Sequence, residues 1–228
     1  MRPDVTVIVA TYDRPDMLGT ELHSILAAAG TVRERVQVLV VDDASPTMAA
    51  WALCKRLDVD YIRRDVNGGV AATLATGFEA SDSRYTTFWG DDDYMLPTWF
   101  AYHLEAIQRA DVVSGSYWFA DADLNPTSRW ELPVGTLADL LEDRVTVNDG
   151  ALCRREVIER VGLRPERGRA MMLTLWLALA RAGVRFATVS EPTWYYRRHA
   201  GNMSGQLPLV IDEQFLALRR EAIAEAMA

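Results

Sequence analysis

A continuous β-branched run, Val5 to Ala10, and a second valine-rich one, Val36 to Val41, are separated by one helix-length segment, and each breaks off in polar residues. No other feature constrains the fold as tightly. A strand with one wet face alternates apolar and polar residues, whereas a strand covered on both faces reads as continuous hydrophobic sequence. The segment between the runs starts at Pro15, a residue suited to the first helical turn. It carries an apolar stripe of Met17, Leu18, Leu22, Ile25 and Leu26. The alternation continues with a helix over Thr47 to Leu57 and a short strand over Tyr61 to Arg63. A helix follows from Gly68-Gly69 to Phe78, then a strand over Tyr85 to Trp89 and a helix from Pro97 with Phe100, Leu104 and Ile107 inward. This order predicts an α/β fold with a mostly parallel central sheet and helices on both faces, whose ligands bind at the carboxyl ends of the strands.

After Asp111 the rhythm changes. Val112 to Phe119 reads as strand, Ala120 to Pro133 as a polar turn or hairpin, and Thr136 to Leu141 as a short helix. Cys153 to Val161 and Met171 to Ala182 read as helices, Phe186 to Val189 and Thr193 to Arg198 as strands, and Leu209 to Ala226 as a terminal amphipathic helix. Nothing resembles a linker, so the expectation is a single domain over 1–228. Within it, 1–110 is expected to be the nucleotide side and 111–228 the variable side with a C-terminal helix. Half of the 228 residues are hydrophobic, enough for a sizeable core. A net charge of −8 argues against nucleic-acid backbone binding, which needs a basic face, but not against an anionic small ligand held by a metal ion. Cys54 and Cys153 have no metal or redox spacing and read as reduced, buried thiols. No apolar run reaches membrane-span length and no signal peptide is evident, so a cytoplasmic location is expected.

The strand ends gather the chemistry. The first delivers Thr11, Tyr12, Asp13 and Arg14, the second Asp42-Asp43, and the fourth Asp91, Asp92 and Asp93 in the stretch FWGDDDYMLP. Three adjacent carboxylates repel one another, so either they form a solvated turn or something positive lies among them. The helix start at Gly68-Gly69 offers backbone N–H groups to a carbonyl or phosphate oxygen, or is only a tight turn. Asp43 also reads as a cap for the helix at Thr47. Acids at a phosphate site make sense once a divalent cation stands between them, because Mg²⁺ and Mn²⁺ take one or two carboxylates plus substrate phosphates.

VTVIVATYDRP, VQVLVVDDAS, NGGVAATLATG, FWGDDDYMLP, LTLWLALARAG and YYRRHAGNMS, in this order, resemble a family 2 glycosyltransferase with the GT-A fold over Val5 to Ser204. The resemblance implies transfer of a sugar from a nucleoside diphosphate donor, a uridine one foremost, to an acceptor hydroxyl with Mn²⁺ or Mg²⁺. By position it implies that Thr11 and Tyr12 border the base and that Asp42 accepts from the base's ring N–H. Asp91 would hold the ribose and Asp92 the metal, with His199 completing the metal or diphosphate site. Gly150 would lie in the loop facing donor sugar and acceptor. Arg14 reads as a phosphate contact or a surface charge.

The departures are as informative. Gly90 stands where the family's acidic motif begins, and Leu74-Ala75 replace an arginine and asparagine common after the NGG run. Met171-Met172 align with the Glu-Asp pair that supplies the catalytic base, and a thioether does not accept a proton usefully. Three readings stay open. Asp149 or Glu166 serves as base; the enzyme retains anomeric configuration, with the leaving phosphate taking the proton; or the protein is an inactive nucleotide-sugar binder acting as regulator or subunit. A nucleotidyltransferase would want a glycine-rich basic loop after the first strand, which VIVATYDRP is not.

Overall fold

The computed structural model describes residues 2–131 and 150–202, together with 220, 221, 223 and 224. The predicted helix at 136–141 and nearly all of the one at 209–226 lie outside them. β1 (Val5–Thr11), β2 (Val36–Asp42), β3 (Asp60–Arg63) and β4 (Tyr85–Trp89) interleave with α1 (Pro15–Ala29), α2 (Ala49–Leu57) and α3 (Gly69–Ala80), within a residue or two of the predicted bounds. β5 (Tyr94–Met95), α4 (Trp99–Ala106), β6 (Val112–Gly115), β7 (Tyr117–Ala120) and β8 (Pro126–Trp130) follow. Then come β9 (Leu152–Arg154), α5 (Arg155–Val161), a 3₁₀ stretch over Pro165–Ala170 that breaks at Gly168, α6 (Met171–Arg181), β10 (Phe186–Val189) and β11 (Trp194–Arg197).

Seven strands form the main sheet in the order β10-β6-β9-β4-β1-β2-β3. β1 pairs in parallel with β2 and β4, β2 with β3, and β6 with β10, while β9 alone runs antiparallel, between β4 and β6. Because successive side chains leave a strand on opposite faces, β1 and β2 feed two cores. Val5, Val7, Val9, Val38 and Val40 pack under α1, α2 and α4. Ile8, Ala10, Leu39 and Val41 pack under α3, α5 and α6. Both helix-bearing faces are thus covered, which is why these strands carry no polar alternation.

Two predicted elements differ. Val112 to Phe119 is broken at Ser116 into β6 of the main sheet and β7 of a second, four-stranded sheet ordered β5-β11-β7-β8. The Ser116 N–H donates to Val189 O and its carbonyl accepts from Thr193 N, so the break is held from both sides. The start of the predicted helix at Cys153 is instead β9, with Cys153 opposite both Thr86 and Val112. A three-residue apolar segment has no readable period, and the opening between two parallel strands decides its state. The predicted hairpin after Ala120 is real: β7 and β8 pair antiparallel around a turn in which the Asp121 carboxylate accepts from the N–H of Asp123 and Asn125. Both cysteines are free and buried, and burial pushes the Cys54 thiol up to about 12. No described helix is long and apolar enough to cross a membrane.

Candidate active site

Parallel pairing of Thr11 with Asp42 and Val9 with Trp89 brings the carboxyl ends of β1, β2 and β4 to one edge. Beyond that edge the chain is bent hard. Asp13 and Ala44 adopt left-handed backbone angles (φ 53 and 64) that non-glycine residues rarely take, and the Asp13 N–H donates to Ser45 Oγ at 2.9 Å. Strain of this kind persists only where the surroundings over-determine it, and it clusters at ligand sites.

The positive group the three acids require is supplied by the protein. One guanidinium nitrogen of Arg14 contacts Asp91 and the other donates to Asp92 Oδ2 at 2.8 Å. Asp91 is fully buried at the strand end and also accepts from the Thr11 hydroxyl at 2.6 Å. Burial raises the Asp91 carboxyl to about 6, against the opposing pull of Arg14 and Thr11. Burial works against the Arg14 charge as well, yet Asp91 and Asp92 outweigh it and raise its pKa. His199, delivered by the chain just past β11, places Nε2 3.1 Å from Asp92 Oδ2. Its Nδ1 accepts from the Gly201 N–H at 3.1 Å, so the Nε2 atom carries the proton. Asp93 turns the other way and accepts from the Arg197 backbone N–H at 3.1 Å, tying β11 to the acidic turn.

The opposite side of the edge is also built from carboxylates with protein partners. Asp42 is fully buried and accepts from Ser45 N at 2.7 Å and from the Tyr61 hydroxyl at 2.6 Å. Asp43 does not cap a helix at Thr47. Its two oxygens instead accept from Gly68 N at 2.9 Å and Gly69 N at 2.7 Å, and Arg64 pairs with the same carboxylate. The amides of the α3 start, expected to face a phosphate, are therefore engaged by Asp43. The reason is electrostatic: a carboxylate at a helix N-terminus meets orphan donors and the positive end of the dipole. Tyr12 is 47% exposed beside Thr11, its ring open to a planar ligand.

The second half contributes less. Gly150 stands against Trp89; a Cβ there would lie 3.0 Å from the ring at Cζ2. Glu166 is exposed in the 3₁₀ stretch, paired with Arg164 at 2.9 Å, and that partner lowers its pKa. Asp149 lies outside the described residues. Met171, the first residue of α6, is buried in the core and Met172 is half-buried beside it, so no carboxylate replaces the missing pair at these two positions.

Sequence reasoning missed Ser45, Tyr61 and Glu21. Ser45 and Tyr61 were visible as the polar end of VVDDAS and the lone phenol of a short edge strand, but their convergence on Asp42 needs the register. Glu21 sits in α1 among leucines, fully buried, with neither carboxylate oxygen hydrogen-bonded among the described residues. Burial, reinforced by Asp93, Asp92 and Asp91, raises its pKa well above the ordinary value.

Among the described residues no three His, Cys, Asp or Glu side chains are grouped to hold a metal ion. Asp92 and His199 are the pair that fits one. Two ligands about 2.1 Å from an octahedral ion stand about 3 Å apart, and Asp92 Oδ2 and His199 Nε2 are separated by 3.1 Å. Ligation by Nε2 requires His199 to move its proton to Nδ1 and give up the Gly201 bond. One carboxylate such as Asp92 matches how Mg²⁺ and Mn²⁺ are bound in company with substrate phosphates, and His199 would add a nitrogen ligand.

Comparison with known proteins gives the family and the fold. The profile of Glycosyl transferase family 2 matches residues 6–162. WfaP of Escherichia coli, a β-1,3-glucosyltransferase named for UDP-Glc and α-D-GlcNAc-diphosphoundecaprenol, is 21% identical over 215 residues, 88% of this chain and 79% of WfaP. The succinoglycan biosynthesis protein ExoO of Rhizobium meliloti (strain 1021) is 30% identical over 158 residues, 63% of this chain but 43% of ExoO. Among solved structures, S. aureus TarS 1-349 in complex with UDP-GlcNAc superposes at TM-score 0.75 with 18% identity, covering 98% of this chain and 66% of that one. Its complex with UDP superposes at 0.68 over the same share of this chain. The fold is therefore GT-A, and the chain spans less than half the length of ExoO and about two thirds of the TarS segment.

Proposed function

The chain belongs to glycosyl transferase family 2, and from that premise we infer that it transfers a sugar from a uridine diphosphate donor to an acceptor hydroxyl, using Mn²⁺ or Mg²⁺. The observation that carries this is the convergence of Thr11, Arg14, Asp91, Asp92 and His199 at one end of the sheet. Tyr12 borders the base and Arg14 contacts the diphosphate, while Asp42 and Asp91, buried with their oxygens engaged by Ser45, Tyr61, Thr11 and Arg14, receive the base and the ribose only as those partners give way. Asp92 holds the ion, with His199 as second ligand or as an Nε2–H donor to a diphosphate oxygen. An ion held by Asp92 would supply positive charge against the departing diphosphate. Gly68 drops out of the nucleotide contacts, because Asp43 already takes its N–H.

The acceptor hydroxyl must lose a proton as it attacks the anomeric carbon. Of the two carboxylates in reach by sequence, Asp149 is the better base. It directly precedes Gly150, which is packed on the strand leading into the acids, whereas Glu166 is exposed and weakened as a base by Arg164. Asp149→Asn then abolishes transfer while nucleotide binding survives. A fully active Asp149→Asn, together with a fully active Glu166→Gln, removes both candidates.

A second reading has a specific observation behind it: the methionines at 171 and 172 leave the usual base position without a carboxylate. A nucleotide-sugar binder that does not turn over would look the same at Asp91 and Asp92. Thermal melting with a panel of nucleoside diphosphates and their sugars, with and without Mn²⁺, reports base, sugar and metal dependence together, since binding raises the midpoint by mass action. Donor hydrolysis or transfer in the same mixtures separates enzyme from binder. No stabilisation by any uridine nucleotide would sink both.

A further inference from the structure

The Arg14 contact to Asp92 has a consequence for how the site loads. Asp92 Oδ2 accepts from Arg14 Nη1 at 2.8 Å and from His199 Nε2 at 3.1 Å, which uses both lone pairs of that oxygen. Its other oxygen faces Gly90, so closely that a Cβ there would lie 2.7 Å away. A cation entering at Oδ2 must therefore displace a resident donor. His199 is the poorer candidate to leave: its side chain is 7% exposed, and the Gly201 N–H on its Nδ1 and Asn202 Oδ1 on its backbone hold it as the Nε2–H donor to Asp92, the donor role and not that of second ligand. Arg14 is 32% exposed at the mouth of α1 and makes no side-chain cap to that helix. Its second nitrogen is anchored on buried Asp91, so the guanidinium can release Asp92 by turning about that contact without abandoning its partner.

We propose that Arg14 is a placeholder cation, holding Asp92 in the empty protein and yielding it to a divalent ion only when a nucleoside diphosphate takes over the freed guanidinium face. A guanidinium and a dication on one carboxylate oxygen repel each other at a few ångströms, so the ion alone binds poorly. A diphosphate supplies acceptors for the displaced Nη1–H groups and for the ion at once. Ion and nucleotide thereby assist each other's binding, and by linkage the assistance is equal in both directions. Without a nucleotide the same arginine offsets the repulsion between Asp91 and Asp92.

The inference rests on the donor-and-metal reading given above, and its test separates the two. Mn²⁺ binding is followed by loss of the free ion's paramagnetic resonance signal, which needs no turnover, for wild type, Arg14→Gln and Arg14→Lys, each with and without UDP. Wild type is expected to bind Mn²⁺ weakly alone and far more tightly with UDP. Arg14→Gln is expected to bind nucleotide-free Mn²⁺ about 10- to 100-fold more tightly than wild type, the equivalent of one charge-assisted hydrogen bond removed from the competition. UDP then helps it less. Arg14→Lys keeps a cation on Asp92 and stays near wild type; Arg14→Ala replaces the glutamine variant if melting shows that variant unfolded. An Arg14→Gln protein no tighter for free Mn²⁺ than wild type, beside a wild type that binds Mn²⁺ with UDP, overturns the placeholder alone. A wild type that takes up no Mn²⁺ even with UDP overturns the donor-and-metal reading, and the placeholder with it.

Discussion

Asp91 should make the protein less stable as pH rises toward neutrality, and Asp91→Asn should remove that loss. Burial at the end of β4 raises this carboxyl from 3.8 to about 6 despite its contacts with Arg14 and Thr11. A folded-state value above the unfolded one means the native state binds the proton more tightly. The stabilisation is then fully present below about pH 4 and disappears as pH rises through 6. At about 1.4 kcal/mol per pH unit of displacement, ionising Asp91 costs the fold about 2.5 kcal/mol between pH 4 and pH 7. Asparagine has the same shape, still accepts from the Thr11 hydroxyl and does not titrate. The difference in unfolding free energy, Asp91→Asn minus wild type, is therefore expected to grow by that amount across the interval, about 1 M in urea midpoint. Urea unfolding at half-unit pH steps, followed by tryptophan fluorescence, measures it. Two profiles running parallel within about 0.5 kcal/mol would refute the argument, whatever the absolute stabilities, because the slope isolates the one proton in question.

Glu21→Gln is expected to raise the melting temperature at pH 8 more than at pH 4.5: burial and the three aspartates hold Glu21 protonated in the fold, so its stabilisation fades as pH climbs above the ordinary carboxylate range. Equal shifts at the two pH values would count against it. Gly90→Ala should leave the melting temperature within about 2 °C of wild type, since its Cβ meets only the end of the Asp92 side chain, yet weaken UDP–Mn²⁺ binding about tenfold by turning that carboxylate; calorimetry decides. Gly77→Ala drives a methyl into Ile8 and Val41 where α3 lies on β1 and β2. Chemical unfolding should show a loss of about 1–3 kcal/mol despite the gain in helix propensity.

The sheet was legible because its strands are covered on both faces, and continuous β-branched runs have few other uses. Pro15 marked the start of α1 to the residue. What stayed hidden depended on pairing across long separations. Leu152–Arg154 carries the same composition whether it opens a helix or fills the space between β4 and β6. At the site, Asp91 and Asp92 could be picked from their place at a strand end, but their partners could not. Arg14 lies 78 residues from Asp92 along the chain, and His199 lies 107 away. Asp43 shows the limit most clearly: an acid beside a helix start looks like that helix's cap, yet it caps α3 instead of α2.

The run of three acids is tolerated because each is given different work. Asp91 is buried and held by Thr11 and Arg14; Asp92 is held between Arg14 and His199; Asp93 turns back to accept from the Arg197 backbone. The last contact joins the two sheets. β5 begins at Tyr94, immediately after Asp93, and pairs with β11, whose next residues carry His199 to Asp92. The acidic turn therefore positions its own histidine: the chain leaving Asp93 forms the strand against which the His199 segment is registered. Substituting Asp93 should act on the site through β11, with binding lost because His199 shifts and not because a ligand contact is removed. This accounts for a cluster of like charges surviving where an ordinary strand end would carry one.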